Sequence, residues 1–238
     1  MLANSVNQNV QAGFLSKDLH LSATSLHELI NFIADELPRW RDHPDRRKET
    51  SETTLTSQLS RHLTTAARFA PGWDFLQFQT EAPDEHQKGR KIDLIAWPCG
   101  PTVWIEGRRC TQFDTLLPIE CKRLPTPKNR DRDEWEYVIN RKATTGGIQR
   151  FKDGNHGAAH TLAVMVAYVQ DELPDVWYGR LTSWITELAG SKQAGWTQAD
   201  LLSVDPADEK SGVAIFRSSH TRKGLPNIDI RHLWVEMK

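Results

Sequence analysis

The stretch Thr115–Arg123, TLLPIECKR, reads as a strand that carries two charged residues inside an apolar run. Glu120 and Lys122 stand at i and i+2, so their side chains leave the same face, and Cys121 points to the other face, into the core. A second stretch of the same kind precedes it. Ile92–Trp97, IDLIAW, is a predicted strand with Asp93 between Ile92 and Leu94. Charged groups at apolar strand positions are expensive unless they are paired or coordinated. Two carboxylates brought together raise each other's pKa, and a divalent cation removes that repulsion. Hard oxygen ligands with open water positions suit Mg2+. A lysine beside the ion can orient the attacking water, and the ion polarises a phosphate and lowers the pKa of bound water. Asp93, Glu120 and Lys122 together hold the parts needed to hydrolyse a phosphodiester.

Working outward, residues 1–24 are expected to be a flexible tail and 25–238 one domain. A helix is predicted from the capping-box spacing of Ser25 and Glu28, with Leu26, Leu29, Ile30, Ile33 and Leu37 at helical spacing and Pro38 ending it. RWRDHPDRRKE reads as a solvated connector. A second helix is predicted from Glu52 to Phe69 on the stripe Leu55, Leu59, Leu63 and Ala66, stopped by Pro71-Gly72. The period then changes to two over Trp73–Gln79. After Trp97, VWIEG from Val103 is a short strand. Asp133–Ile139 and Thr144–Lys152 are expected to be helical, with Gly146-Gly147 weakening the second by up to about 1 kcal/mol each. Leu162–Val169 is a continuous apolar run suited to a buried central strand. Val176–Leu188 is a helix, and Val213–Ser218 and Ile228–Val235 are strands joined through the turn residues TRKGLPN. The order implies an α/β fold, a mixed β-sheet flanked by helices.

Composition excludes several classes. Cys99, Cys110 and Cys121 are odd in number and lack CxxC spacing, which argues against a disulfide framework and a structural zinc. The longest apolar run is too short to span a bilayer, so no membrane role is expected. No GxxxxGK, GxGxxG, GxSxG or HExxH occurs. His156 and His160 are four apart, but the G-N-H-G setting argues against a helix, and they read as polar or turn residues. His220 and His232 read as satisfied structural groups. Most of the nine Trp, such as Trp97, Trp177, Trp184 and Trp234, read as core, with Trp104 and Trp135 as candidates for base stacking.

Ile92-Asp93-Leu94 and Pro118-Ile119-Glu120-Cys121-Lys122-Arg123, with the predicted elements around them, resemble the PD-(D/E)xK nuclease superfamily. The similarity spans roughly residues 50 to 170 and implies a restriction-endonuclease-like fold. In that family an acid often lies on the helix before the strands. Glu52, in E-x-x-L-T-x-x-L, matches best, and Glu49 is the rival. Many members also carry a Gln on the helix after the Lys strand, and Gln149, in Gly147-Ile148-Gln149-Arg150-Phe151, fits that position. That run is similar to a GI-x-RF-x-x-G stretch in nucleases of bacterial restriction and antiphage systems. The 27-residue separation of Asp93 and Glu120 requires VWIEG to be an inserted strand or loop.

The resemblance implies a Mg2+-dependent deoxyribonuclease, with Mn2+ able to substitute. Asp93, Glu120 and the Cys121 backbone carbonyl would hold the metal, with Glu52 acting through water. Lys122 would position the attacking water and Gln149 would orient it or Lys122. Arg123, Arg150 and Lys152 would contact DNA phosphates. A homodimer, a separate sensing or motor partner and a cytoplasmic setting in defence follow as expectations. The rival expectations are a catalytically silent nucleic-acid-binding module and an interaction subunit of a larger defence complex. The net charge of −1 speaks at face value against nucleic acid. Between Arg108 and Lys152, however, 11 Lys+Arg face 6 Asp+Glu, a local basic surplus within an acidic remainder.

Overall fold

Leu162–Val169 forms strand β7, and every one of its side chains is buried. In the computed structural model, which describes residues 18–22, 24–85, 89–105, 107–127, 133–142, 146–191, 193–204 and 212–237, β7 lies at the middle of a seven-stranded mixed sheet. The strand order is β2 (Leu76–Pro83), β3 (Lys91–Pro98), β6 (Leu117–Leu124), β7, β10 (Ile228–Glu236), β9 (Val213–His220) and β8 (Ser203–Val204). β6, β7 and β10 run parallel, and the remaining pairs are antiparallel. A parallel strand covered on both faces needs apolar residues throughout, which is why β7 reads as a run and not as an alternation.

The side chains of β7 divide the core in two. Val164, Val166 and Tyr168 pack with Leu29, Ile33 and Leu37 of α1 (Ser25–Arg41) and with Leu55, Leu59 and Leu63 of α2 (Glu52–Phe69). Ala163, Met165, Ala167 and Val169 pack with Ile148 and Phe151 of α3 (Gly147–Lys152) and with Trp177, Leu181 and Ile185 of α4 (Pro174–Ser191). β4 (Thr102–Ile105) and β5 (Arg108–Cys110) leave the main sheet and form a second, three-stranded one with β1 (Asp18–Leu21). Val103–Ile105 of the VWIEG segment thus lie in an inserted strand between β3 and β6, as the long Asp93–Glu120 spacing requires, and Glu106 lies outside the described residues. Among the described residues no helix is long and apolar enough to cross a membrane.

Several local expectations are corrected. Asp18–Leu21 pairs in parallel with β4, and Leu19 and Leu21 pack on the core, so the tail does not extend to residue 24; residues 1–17 lie outside the described residues. No capping box forms at α1, because Thr24 is the N-cap and the Ser25 hydroxyl lies 3.1 Å from that of Ser22. Pro38 does not end α1. One backbone bond is lost there, but buried Leu37 and Trp40 hold the last turn, and the Asp42 N–H donates to the Pro38 carbonyl at 3.0 Å. The strand expected from Trp73 begins at Leu76, after turns.

Asp133–Ile139 is a series of turns, not a helix. The Asp133 carboxylate takes the Trp135 and Arg141 amides at 3.1 and 3.0 Å. The carbonyls of Glu136, Tyr137 and Val138 accept from the N–H groups of Gly147, Ile148 and Gln149 at 2.8, 3.0 and 3.0 Å. They therefore serve the first turn of α3, whose amides would otherwise be orphaned. A Cβ on Gly147 would meet the Tyr137 carbonyl oxygen at 2.4 Å, so only glycine fits where the two backbones meet. Of the helix expected over Thr144–Lys152, Gly147–Lys152 is present, and 143–145 lie outside the described residues.

Candidate active site

β3 and β6 pair from Ala96–Leu117 to Leu94–Ile119, and their ladder stops there. β3 continues against β2 on its other side as far as Lys91. At the next step Asp93 and Glu120 face the gap. The Cys121 N–H, which would have met a β3 carbonyl, donates to Asp93 Oδ2 at 3.0 Å. Across β2 the residue opposite Asp93 is Glu81, whose φ of 51° interrupts the pairing between Thr80–Leu94 and Ala82–Ile92. Irregular backbone on an edge strand turns a side chain aside from the ladder, and here it flanks Asp93.

The Lys122 ammonium occupies the centre of the gap. Its Nζ lies 2.8 Å from Asp93 Oδ2, 2.8 Å from Glu120 Oε1 and 2.9 Å from the Cys121 carbonyl oxygen. Glu52 Oε1 is 3.6 Å away, and Glu52 Oε2 accepts the Arg123 N–H at 3.1 Å. Glu52 opens α2, where the Ser51 hydroxyl caps the helix by accepting the Thr54 N–H at 3.2 Å. Glu52, Asp93, Glu120 and Lys122 are therefore brought together from α2, β3 and β6. Glu49 is not. It is exposed on the connector before α2, so Glu52 is the helix acid of the cluster.

Glu120 is fully buried and has two further partners. Arg150 Nη1 donates to Oε1 at 2.8 Å, and His156 Nδ1 donates to Oε2 at 3.1 Å. Burial alone would push the Glu120 carboxyl up. Lys122, the His156 hydrogen bond and Arg150 outweigh it and hold that carboxyl well below the usual range. Asp93 goes the other way, raised by burial and by the charge of Glu120 beyond what Lys122 and the Cys121 amide offset. Burial would lower Lys122, but Asp93, Glu120 and Glu52 keep it well above its ordinary value. The Cys121 thiol is buried on the opposite face and raised by that burial, so it stays protonated and outside the chemistry.

His156 is the residue that sequence reasoning misses. It sits in the loop after α3, where the Asn155 and His156 amides both return to the Arg150 carbonyl at 2.8 and 3.1 Å. Gly157 follows with φ 60°, and its N–H is held by Asp84 Oδ2 at 3.2 Å. The G-N-H-G pattern (Gly154–Gly157) that argues against a helix is what aims His156 at Glu120.

Three expected site residues are placed elsewhere. Gln149 is buried on α3, but its amide donates to Asp153 at 2.7 Å and accepts from the Trp196 indole, so it does not reach Lys122. Its neighbour Arg150 faces the cluster instead and pairs with Glu120. Lys152 is buried, with its ammonium 2.6 Å from Asp200 and 5.0 Å over the Trp196 ring, so it presents no charge to a phosphate. The Arg123 guanidinium donates to the Thr50 carbonyl. Trp135, a candidate for stacking, is buried against Trp184 and Arg141. Trp104 stacks on His20, 6.0 Å between ring centroids. Trp97, expected in the core, is half-buried.

The expected structural histidines form a directed chain. The Trp234 indole can only donate, and it gives to the Tyr137 hydroxyl oxygen at 2.8 Å. Tyr137 then donates to His232 Nδ1 at 2.9 Å, and His232 Nε2 donates to the Ser218 oxygen at 2.8 Å. Ser218 donates to His220 Nε2 at 2.7 Å, and His220 Nδ1 donates to Asp200 Oδ1 at 2.6 Å. Every member is satisfied with both imidazoles neutral.

Among the described residues no three His, Cys, Asp or Glu side chains cluster as a metal centre. What the gap offers is two carboxylates and one carbonyl converging on a single cationic point, at present the Lys122 ammonium. This hard-oxygen set has the chemistry that Mg2+ selects, usually one or two carboxylates with waters completing the shell. Compared with known protein families, curated proteins and solved structures, the chain matches none.

Proposed function

We propose that this chain is a Mg2+-dependent nuclease that hydrolyses DNA phosphodiester bonds. One observation carries it: Glu52, Asp93 and Glu120, far apart in the sequence, gather their carboxylates around Lys122 at the point where β3 and β6 part. Asp93, Glu120 and the Cys121 carbonyl would hold Mg2+, with Mn2+ able to substitute and Glu52 acting through water. When bound, the ion polarises the phosphate and lowers the pKa of water. Lys122 keeps its proton and offers an ammonium to the charge that develops on the phosphate oxygens. Arg150, whose side chain is 30% exposed, reaches the same region and orients Glu120. Asp93, at 28%, is the carboxylate most open to a substrate.

The resemblance to nucleases of restriction and antiphage systems makes defence against foreign DNA in the bacterial cytoplasm the setting we propose. A homodimer would present two such sites for a double-strand cut, and a separate sensing or motor protein would supply target choice. In plasmid cleavage with Mg2+ or Mn2+, Asp93→Ala and Lys122→Ala should each lower the rate by at least about a hundredfold. Undiminished cleavage in both variants would remove the assignment. The counter-ions already on Glu120 favour a second reading, a silent nucleic-acid-binding module or interaction subunit. DNA binding without Mg2+ and without cleavage in the same assay would select it.

A further inference from the structure

The turn 221–227 that joins β9 to β10 buries Arg222, which is 4% exposed, while Thr221 and Lys223 on either side of it are exposed. Among the described residues no carboxylate pairs with this guanidinium. Burial lowers it from its ordinary value, and no neighbouring charge offsets the shift. A buried cation without a counter-ion needs hydrogen bonds in place of water. Arg222 finds three, all on backbone carbonyls. Nε donates to Pro226 at 2.6 Å, inside its own turn. Nη1 donates to Gly157 at 3.2 Å and Nη2 to His160 at 2.8 Å. The fork thus takes the first and last carbonyls of the tight turn 157–160, which the His160 N–H closes by donating to the Gly157 carbonyl at 3.0 Å.

This tight turn continues directly from the residue that donates to Glu120. His156 is fixed on its N-terminal side by its own N–H, which donates to the Arg150 carbonyl at 3.1 Å. On its C-terminal side the backbone is set by Gly157, whose φ of 60° is one that glycine adopts without strain. Asp84, just after β2, accepts the Gly157 N–H at 3.2 Å, and Arg222 takes the Gly157 carbonyl. The peptide planes on both sides of Gly157 are therefore held from outside the loop. Leu225 adds a contact from the same β9–β10 turn, since a Cβ on Gly154 would meet Leu225 Cδ1 at 2.4 Å. Arg108 of β5 also reaches this segment, at the Ala159 carbonyl at 3.4 Å and the His160 ring at 2.9 Å, but neither adjoins His156.

We propose that the β9–β10 turn is a clamp on the candidate active site, with Arg222 as the positioning residue that sets His156 on Glu120. The path runs from Arg222 through the Gly157 carbonyl to the His156 backbone, and from His156 Nδ1 to Glu120 Oε2 at 3.1 Å. A planar fork is required, because one group must hold two carbonyls of the loop and one of its own turn at once. A lysine keeps the charge but offers a single point. The effect on cleavage rests on the nuclease reading of the Lys122 cluster. The effect on His156 does not.

The test has a spectroscopic arm and a kinetic arm, both on the full chain. NMR without divalent ions follows the hydrogen-bonded Nδ1–H proton of His156, with His156→Gln identifying the signal. Arg222→Lys keeps the charge and loses the fork. Leu225→Ala loosens the same turn against Gly154 with the guanidinium intact, and it carries the test if circular dichroism shows that Arg222→Lys does not fold. In each folded variant the His156 proton should shift, and it should exchange with water at least about tenfold faster. In plasmid cleavage with Mg2+, each should lower kcat by about tenfold or more at unchanged KM. Adding either change to His156→Gln should lower kcat no further, whereas a merely structural role gives losses that add. The clamp is overturned by a wild-type chain without this proton signal, by a signal unmoved in the folded variants, or by additive losses. A wild-type chain that does not cleave removes the nuclease reading, and the proton signal alone then decides the clamp.

Discussion

His156 shows how much of the candidate site depends on one side chain that carries no motif. Its Nδ1 occupies the oxygen of Glu120 that neither Lys122 nor Arg150 reaches. Removing it leaves a buried carboxylate oxygen without a donor, which costs about 1–3 kcal/mol. His156→Ala should lower the unfolding free energy by that amount in urea titration, and an unchanged midpoint would show that Glu120 does not need it. Asp93, Glu120 and Lys122 were legible because a charge inside an apolar strand run is anomalous, and the period of two fixes which charges share a face. Gln149 was not, for a reason of angle. One residue is about 100° around a helix, and α3 is only six residues long. Six residues do not define its phase, so the same run that suggested Gln149 delivers Arg150.

At the scale of elements, β7, α2 and the final hairpin were readable because their burial pattern is continuous along each segment. The turns over Asp133–Ile139 were not, because their carbonyls are engaged by a segment that follows them in the chain. Apolar Val138 and Ile139 suggest a helix, yet the backbone of this stretch is committed to α3. The glycines that lower the helix propensity of α3 are required by this contact. Gly147→Ala should therefore destabilise the fold by about 1–3 kcal/mol instead of stabilising the helix, because its Cβ has no space beside the Tyr137 carbonyl. Thermal unfolding of the variant decides between the two signs.

For the whole molecule, five of the described cations in the basic surplus between Arg108 and Lys152 are held in ion pairs, while Arg109 and Lys142 are exposed. Lys122, Arg141, Arg150, Lys152 and Arg108 are engaged by Glu120, Asp133, Asp200 and Glu85. A charge count over sequence cannot foresee which cations the fold turns inward. The buried histidines add a global property. Burial lowers His220 more than Asp200 restores it, and lowers His232 well below the ordinary value. The unfolded chain takes up these protons near pH 6.5 and the folded chain does not. Stability is thus complete above about pH 6.5 and declines as pH falls, by up to about 1.4 kcal/mol per unit for each ring. Asp200, depressed to about 2, extends the loss below its ordinary 3.8, because its partners favour the charged form against burial. Melting temperatures from pH 8 to pH 4 should be level at first and then fall, with a shallower fall in His232→Gln. A curve level down to pH 5 would contradict neutral buried rings. The Lys122 ammonium has a comparable consequence for the life of the chain. The strand that buries Glu120 also delivers its neutralising charge two residues later, so a newly made polypeptide needs no ion from its surroundings to close this gap. Under the proposed Mg2+ dependence, folding and metal loading are separate events, and a chelator should abolish cleavage while leaving the architecture standing.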